Sequence, residues 1–218
     1  SASDIALIGG GKTAKCGEIT LAHNGVLFLD EFPEFPRDVI EALRQPLEDK
    51  KITISRAHGS FSYPANFILI ATKNPCPCGY YRDGKHECTC SMATIIKYEK
   101  KISGPIADRI DIHVEVPAVA YEKLTEESAE RESARIRARV SRAHDLQRER
   151  FAKTSIAHNA NMSAAHIKKH CPLDSASLAI LKNAMEKLHF SARAFHKIIK
   201  LARTIADLEE APLILQTH

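Results

Sequence analysis

The stretch Val26-Leu27-Phe28-Leu29-Asp30-Glu31 decides the fold of this chain. Its four consecutive apolar residues predict a short buried strand, and two adjacent carboxylates follow it. In open α/β sheets, ligands bind at the carboxyl ends of the strands, where an acidic pair suits a hydrated Mg²⁺ ion and an activated water molecule. We therefore predict a nucleotide hydrolase in which Asp30 holds the Mg²⁺ shell and Glu31 polarises the attacking water. A strand that ends in a solvated acidic turn is the alternative interpretation.

A second apolar run, Phe67-Ile68-Leu69-Ile70-Ala71-Thr72, has the length and composition of another strand. It leads into Lys73-Asn74-Pro75. The side-chain amide of Asn74 offers both donors and an acceptor, so it could orient a water molecule against a terminal phosphate. A turn residue is the alternative, because Pro75 favours a turn. After an acidic strand end at domain-scale spacing, Asn74 is typical of a sensor residue.

The composition of the 218 residues, with 44% apolar and 27% charged residues, is that of a globular protein with one large or two small domains. No run approaches 18 apolar residues and no signal peptide is visible, so we expect a cytoplasmic protein without a membrane partner. Because the chain begins with Ser1 and lacks an initiator Met, we take it to be part of a longer protein. Residues 119–218 carry a net charge of +5 and residues 1–118 a net charge of −1, which mildly favours a polyanion partner.

The sequence divides near Pro117 into an α/β part, residues 1–118, and a helical part, residues 119–218. In the first part, a helix is predicted over residues 38–43, ending before Pro46. Residues 51–56 and 60–63 alternate in period two on either side of Gly59, which predicts a β-hairpin with Arg56 and His58 at its tip. Residues 110–116 also alternate strictly and predict another strand.

The second part lacks strand signals and is rich in helix formers. Residues 121–152 predict one long helix or two, in which three arginines share a face: Arg135, Arg139 and Arg142. Further helices are predicted from residue 163 and over residues 175–188. Ser191 is a candidate N-cap for a last helix, whose apolar stripe consists of Phe195, Ile198, Ile199, Ala202, Ile205 and Leu208.

The run Gly9-Gly10-Gly11-Lys12-Thr13 is not interpreted as a phosphate-binding P-loop. That motif requires a first glycine at the position occupied by Ala6, a preceding strand and a following helix. Residues 14–18 do not begin a convincing helix, so a flexible loop is predicted. We expect the true phosphate loop to lie before residue 1.

Four cysteines, in Cys76-Pro77-Cys78 and Cys88-Thr89-Cys90, share one polar, glycine-containing loop. Disulfides are rare in cytosolic proteins, and two close thiolate pairs match a tetrahedral Zn²⁺ site, although Cys-x-Cys is a less usual spacing than Cys-x₂-Cys. Structural zinc is the hypothesis, with free thiols as the alternative. His86 could replace one cysteine ligand.

Two arginines could meet a γ-phosphate. Arg109 lies in a loop before the predicted strand at residues 110–116, where it could serve a neighbouring subunit as an arginine finger that neutralises charge during phosphoryl transfer. A surface salt bridge with Asp108 or Asp111 is the alternative. Arg193 opens a helix of the second part and could reach nucleotide from a lid, or lie in solvent.

These features together resemble the ComM family of magnesium-chelatase-like AAA+ ATPases, which are bacterial competence proteins. The resemblance covers nearly the whole chain and is most specific over residues 17–31, 74–79, 102–105, 108–111 and 202–208. It implies a partial AAA+ P-loop-type parallel sheet with a β-hairpin insert, followed by an all-α lid. It also implies Walker B roles for Asp30 and Glu31, sensor 1 for Asn74, a trans arginine finger for Arg109 and sensor 2 for Arg193.

The family implies hexameric rings that use ATP and Mg²⁺ to drive branch migration of single-stranded or branched DNA, with the hairpin residues Arg56 and His58 gripping phosphates. Walker A is absent from this chain, and the last lid helix looks truncated, so we expect this portion alone to be inactive. In the AAA+ sheet, the phosphate-loop strand lies beside the sensor-1 strand, so its absence predicts a distorted sheet.

Two other functions are consistent with the sequence. One is a magnesium chelatase ATPase subunit, which the shared AAA+ motifs do not exclude. The other is a non-catalytic, zinc-stabilised nucleic-acid-binding module, which the basic helical part and its arginine face favour weakly.

Overall fold

The computed structural model describes residues 4–11, 15–56, 59–117, 129–188 and 191–218. The chain divides into two compact units, Ser1–Ala118 and Val119–His218. Within the described ranges, no helix has the length and apolar content that crossing a membrane requires.

The first unit mixes short helices with three pairs of strands. In chain order its elements are α1 (Asp4–Ile8), β1 (Gly9–Gly10), β2 (Lys15–Cys16), α2 (Glu18–Leu21), β3 (Val26–Leu29), a 3₁₀ turn (Phe32–Glu34), α3 (Arg37–Ala42), α4 (Arg44–Asp49), β4 (Lys51–Arg56), β5 (Gly59–Pro64), β6 (Ile68–Ala71), α5 (Met92–Glu99) and α6 (Gly104–Ala107). The prediction of a mixed α/β fold with parallel strands is confirmed.

Strands β3 and β6 pair in parallel, in a register that sets Val26 opposite Ile68 and Leu29 opposite Ala71. The chain between them makes a crossover that contains α3, α4 and the antiparallel β4–β5 hairpin. Parallel neighbours require such a long connection, and it brings the carboxyl ends of both strands to the same edge. This edge carries the candidate site.

The prediction that β3 is buried throughout is wrong, because its side chains alternate between exposed and buried. Leu27 and Leu29 belong to a core that also contains Phe32, Ile40 and Ile106. The opposite face is exposed and apolar, with exposed fractions of 52% for Val26, 58% for Phe28, 64% for Ile68 and 47% for Ile70. A four-residue apolar run is equally compatible with one buried face or two, so the pattern alone did not distinguish them.

Within the described part of the glycine run, Gly9 and Gly10 form strand β1 and not the predicted flexible loop, while Lys12 and Thr13 lie outside the described residues. β1 pairs antiparallel with β2, with Gly9 opposite Cys16 and Gly10 opposite Lys15. Gly9 has a φ of 98°, and a Cβ atom there would lie 2.4 Å from the carbonyl oxygen of Lys15. Glycine is therefore required at this position by the hairpin itself.

One local prediction is wrong and another is confirmed. Residues 110–116 form no strand, since within the described ranges they pair with none of the strands, and Ile112, Val114 and Val116 are 60%, 75% and 81% exposed. A strand exists only through hydrogen bonds to a neighbour, which an alternating pattern cannot supply by itself. The predicted helix over residues 38–43 is confirmed by α3 (Arg37–Ala42), which ends before Pro46. Pro46 itself lies inside the next helix, α4, where the first turn tolerates the missing N–H.

The second unit is helical over its described residues. It contains α7 (Ala129–Phe151), a 3₁₀ turn (Asn159–Asn161), α8 (Ala164–His170), α9 (Ser175–Leu188) and α10 (Ala192–Leu208). The predicted helix over residues 121–152 lies partly outside the described residues. Ser191 caps α10 as predicted, accepting a hydrogen bond from the backbone N–H of Ala194 at 3.2 Å.

The helices α7, α8 and α10 pack around an apolar core of Phe151, Met162, Ile167, Cys171, Ile199 and Ile214. Next to this core lies a buried ionic network centred on Asp207, which is fully buried. Asp207 accepts hydrogen bonds from Arg150 at 2.5 and 2.7 Å, from Asn159 at 2.8 Å and from Arg203 at 3.1 Å. The network ties three separate parts of the unit together.

Candidate functional site

The acidic pair that follows β3 is held by a threonine that follows β6. The hydroxyl of Thr72 donates to a carboxylate oxygen of Asp30 at 2.5 Å and accepts from the backbone N–H of Glu31 at 2.9 Å. The backbone carbonyl of Thr72 also accepts from the N–H of Phe32 at 2.9 Å. Thr72 therefore fixes the chain direction at the point where the carboxylates leave the sheet.

Glu31 has a left-handed backbone conformation, with φ 50° and ψ 47°. This region is uncommon for residues other than glycine, and such residues cluster at functional sites. The conformation is held on both sides, by the hydrogen bond from Glu31 N–H to Thr72 and by the burial of Phe32, which is 1% exposed. The chain thus turns sharply at Glu31, and its side chain remains exposed.

Asn74 lies beside this acidic pair. Its side-chain nitrogen is 3.5 Å from a carboxylate oxygen of Glu31, and both side chains are exposed. The structure therefore brings Asp30, Glu31 and Asn74 together at one edge of the β3–β6 pair. Sequence reasoning missed Thr72, although a hydroxyl directly after an apolar strand was the signal that could have found it.

Among the described residues, no basic side chain forms a salt bridge with Asp30 or Glu31. Two neighbouring exposed carboxylates repel each other, and oxygen ligands are those that Mg²⁺ prefers. The donor set therefore fits a hydrated Mg²⁺ ion. Thr72 contributes a further oxygen next to Asp30.

Arg109 lies away from solvent, with a side chain that is 8% exposed. Its guanidinium donates to the backbone carbonyl of Pro105 at 2.6 Å and forms an ion pair with Glu48 of α4. Its Nε atom is buried without a hydrogen-bond partner in the described part of the chain. Sequence reasoning named Asp108 and Asp111 as alternative partners and missed Glu48, which is 61 residues away in the sequence.

The other predicted phosphate and DNA contacts are only partly described. Arg193 is the second residue of α10 and is exposed. Arg56 ends strand β4, but its side chain and all of His58 lie outside the described residues. The antiparallel pairing of β4 with β5, from Lys51 opposite Pro64 to Arg56 opposite Gly59, brings Arg56 to the end of the hairpin.

The four cysteines of the loop after β6 form a compact cluster. Cys76 Sγ lies 3.3 Å from Cys78 Sγ and 3.7 Å from Cys88 Sγ, and the sulfurs of Cys78 and Cys88 are 3.6 Å apart. All four sulfurs, including that of Cys90, lie within 4.8 Å of one another. Four ligands at the usual Zn–S distance of about 2.3 Å occupy a tetrahedron with edges of about 3.8 Å, which these spacings approach.

The cluster also has the electrostatics of a metal site. A hydrogen bond from the backbone of Tyr80 lowers the pKa of Cys78 to about 6. The backbone of Cys90 lowers the pKa of Cys88, but burial and the sulfurs of Cys78 and Cys76 outweigh it and raise that pKa to about 12. A divalent metal held by the cluster would offset the repulsion that raises the pKa of Cys88 and would favour its thiolate. His86 hydrogen-bonds to Asp83 at 2.7 Å, outside the group of four.

Comparison with known proteins agrees with this architecture. The family described as magnesium chelatase, subunit ChlI, matches residues 1–124, and the corresponding C-terminal family matches residues 130–218. These matches support an AAA+-like protein. The chain belongs to the magnesium chelatase subunit ChlI family, which is AAA+-related.

Among individual proteins, the chain is 45% identical to competence protein ComM of Haemophilus influenzae. It is 40% identical to a protein called YifB of Salmonella typhimurium and 39% identical to YifB of Escherichia coli. Each alignment covers 100% of this chain and 42% of the relative. The chain thus spans less than half the length of these relatives, and the predicted resemblance to the ComM family is confirmed.

Proposed function

We propose that this chain carries the hydrolysis half of an ATP-driven AAA+ motor that acts on DNA. The observation that supports this most is the meeting of Asp30 and Glu31 with Thr72 and Asn74 at the ends of two parallel strands. Phosphoryl transfer needs little covalent chemistry from the protein and depends on positioning and charge stabilisation. Carboxylates, a hydroxyl and an amide at one exposed edge are suited to that task.

In the proposed site, Asp30 holds the Mg²⁺ shell with the support of Thr72, and a bound Mg²⁺ ion neutralises phosphate charge. Glu31 accepts the proton of the attacking water, and the amide of Asn74 orients that water toward the terminal phosphate. The sharp turn at Glu31 keeps its carboxylate close to Asn74. The phosphate-binding loop is proposed to lie in a part of the full-length protein outside this chain, which covers 42% of its Haemophilus influenzae relative.

We further propose that the site is completed between subunits of a homo-oligomer, a hexameric ring. Arg109 is the candidate arginine finger and Arg193 the candidate sensor 2. Because the Arg109 guanidinium is paired with Glu48, its use as a finger requires that it exchange this carboxylate for a neighbouring subunit's nucleotide. Both residues are expected to stabilise negative charge in the transition state.

The proposed polyanion is DNA, either single-stranded or branched, contacted at the β4–β5 hairpin by Arg56 and His58 through phosphates. The competence protein name of the Haemophilus influenzae relative supports a role in competence. The cysteine cluster is proposed to hold a structural Zn²⁺ ion, supported by the spacing of its four sulfurs. The ion would cross-link both ends of the loop after β6.

The Glu31→Gln change in the full-length protein tests the motor assignment. Gln keeps the size of the side chain but cannot accept a proton, so ATP hydrolysis should fall at least about a hundredfold while ATP binding is retained. Hydrolysis is measured by phosphate release and binding by a fluorescent ATP analogue. Asp38→Asn, which neutralises an exposed carboxylate on α3, is the matched control. Unchanged ATP turnover in the Glu31 variant would contradict the proposal that Glu31 accepts the proton of the attacking water.

A magnesium chelatase subunit is the second candidate, because the matching family carries that description. Both candidates use ATP, so the stimulating substrate separates them. ATP hydrolysis by the full-length protein should rise on addition of branched DNA and not on addition of a porphyrin with Mg²⁺. Stimulation by porphyrin alone would favour the chelatase.

A further inference from the structure

The cysteine loop begins two residues after Asn74, the proposed sensor residue. Asn74 is exposed, whereas Cys76, two residues later, is fully buried and lies in contact with the sulfurs of Cys78 and Cys88. The residue between them is Pro75, whose ring fixes φ. The backbone of Asn74 is therefore tied to the position of a buried sulfur with little freedom between them.

The other end of the loop returns to the same residue. Cys90 is followed by Ser91, which caps α5 by accepting a hydrogen bond from Thr94 N–H at 3.2 Å. Near the end of α5, Tyr98 is 4% exposed. Burial raises the pKa of its hydroxyl, and a hydrogen bond from the backbone of Asn74 lowers that pKa. Asn74 is thus held from both ends of the cysteine loop.

The contacts around Tyr98 hold it in place. Lys101 Nζ lies 5.3 Å from the centroid of the Tyr98 ring and forms an ion pair with Glu34 at 3.0 Å. Glu34 ends the 3₁₀ turn that begins right after Glu31. Tyr98 is therefore connected to the acidic strand end as well as to Asn74.

We propose that the four-cysteine cluster, with its metal bound, acts through Cys76 and Tyr98 as a positioning device for Asn74. The metal sets the distance between the Asn74 amide and Glu31 and thereby controls the hydrolysis step, while nucleotide binding is left nearly unchanged. This inference rests on the proposed function of Asn74. It assigns the cluster a role in regulating the rate of the motor, in addition to stabilising its own loop.

Kinetics distinguish a positioning role from a purely stabilising one. A residue that only stabilises the fold lowers the fraction of active protein and leaves KM and the exchange of the Asn74 amide in the folded fraction unchanged. A positioning device for a group that contacts the water molecule lowers kcat with little change in KM, because the lost interaction belongs to the transition state. Its loss also loosens the Asn74 amide specifically.

The experiment uses the full-length protein with four variants. Cys88→Ser removes one sulfur of the cluster, and Cys88→His supplies a nitrogen that zinc also accepts. Tyr98→Phe removes only the hydroxyl of Tyr98. Cys16→Ser, which changes an exposed cysteine outside the cluster, is the matched control. Bound zinc, kcat and KM for ATP, and hydrogen exchange of the peptide that contains residues 72–76 are measured on each.

We expect Cys88→Ser to lose zinc, to lower kcat about tenfold or more and to change KM less than about twofold. Its Asn74 amide should exchange about tenfold faster, and Cys88→His should restore zinc, kcat and exchange together. Tyr98→Phe should retain zinc and still show the lower kcat and faster exchange. Cys16→Ser should match the unmodified protein.

Loss of zinc in Cys88→Ser with unchanged kcat and unchanged exchange at Asn74 would overturn the inference, as would a Tyr98→Phe variant with normal kcat and exchange. If Cys88→Ser does not fold, kcat and hydrogen exchange of Tyr98→Phe alone decide whether the inference holds. Failure of the proposed function is recognised separately: Glu31→Gln and Asn74→Ala would then leave hydrolysis unchanged. The exchange and zinc measurements would still report whether the cluster holds residue 74.

Discussion

Replacing Asp207 with asparagine should sharply destabilise the helical unit. The Asp207 side chain is fully buried and accepts hydrogen bonds from the guanidinium groups of Arg150 and Arg203 and from the amide of Asn159. Burial raises the pKa of Asp207, but the hydrogen bonds from Arg150 and Asn159 and the two guanidinium charges outweigh it, so the pKa lies below its ordinary value. The carboxylate is therefore charged, and it is the one anion that pairs with both arginines in the described part of the helical unit.

The magnitude follows from what the substitution leaves behind. An asparagine side chain has the same size but no charge, so two largely buried guanidinium groups would lose their carboxylate partner. The exposed fractions of these side chains are 15% for Arg150 and 3% for Arg203. Removing one partner of a buried ion pair costs about 3–5 kcal/mol. Since a domain is stable by only about 5–15 kcal/mol, the change should remove at least about a fifth of the unit's stability.

The assay is native-state hydrogen exchange of the α10 amides, which reports the opening free energy of this unit in the intact chain. Glu210→Gln is the matched control, because Glu210 pairs with Arg142 on the surface, where both side chains are more than half exposed. An exposed pair is worth about 0.2–1 kcal/mol. If Asp207→Asn costs no more than Glu210→Gln, the reasoning from burial is refuted.

Further predictions concern pH, the strand-end threonine, the buried arginine and the metal. The pKa of Asp207 in the folded state lies below its unfolded value of about 3.9, so the stability that its charge contributes is present above pH 3.9 and is lost as the pH falls through the folded pKa. The difference in α10 exchange between the unmodified chain and Asp207→Asn should therefore shrink in acid. A difference that does not change with pH would contradict a charged Asp207. Thr72→Val removes the hydroxyl that joins Asp30 to the Glu31 amide and should lower kcat of the full-length protein about tenfold, whereas Thr72→Ser should retain it. Glu48→Gln weakens the ion pair that holds the 8% exposed Arg109 and should cost the first unit about 1–2 kcal/mol in urea unfolding, while Asp49→Asn, at the exposed neighbouring position of the same helix, should cost less than half of that. Zinc titration of the reduced chain in weak buffer should release protons, because the pKa of Cys88 is raised to about 12 and that of Cys90 is also raised. The apparent affinity for zinc should increase from about pH 6 to about pH 8. An affinity for zinc that does not depend on pH would argue against thiolate ligands.

The strand ends could be predicted from the sequence because local patterns specify them. Apolar runs of strand length indicated β3 and β6, and carboxylate and amide side chains at their ends indicated one shared edge. The cap at Ser191 also follows from local chemistry, because a serine before an apolar helical stripe satisfies a free N–H.

The parts that could not be predicted depend on contacts between distant residues. The pairing of Arg109 with Glu48 joins positions 61 apart, and the pairing of Arg150 with Asp207 joins positions 57 apart. Neither leaves a periodic signal in the sequence. The failure at residues 110–116 has the same origin, because alternation specifies which face is apolar but not whether a neighbouring strand is available for hydrogen bonding.

Burial separates two kinds of charged residue within the stretches that carry the family resemblance. Arg203 and Asp207 are 2% and 0% exposed and satisfy each other, so their identity is explained by the stability of the helical unit. Asp30 and Glu31 are exposed at a strand end, and Glu31 has a left-handed backbone conformation. An exposed charge in an uncommon backbone conformation is a candidate for a role in binding. The motif residues at the strand end are therefore the ones whose substitution should change catalysis more than folding.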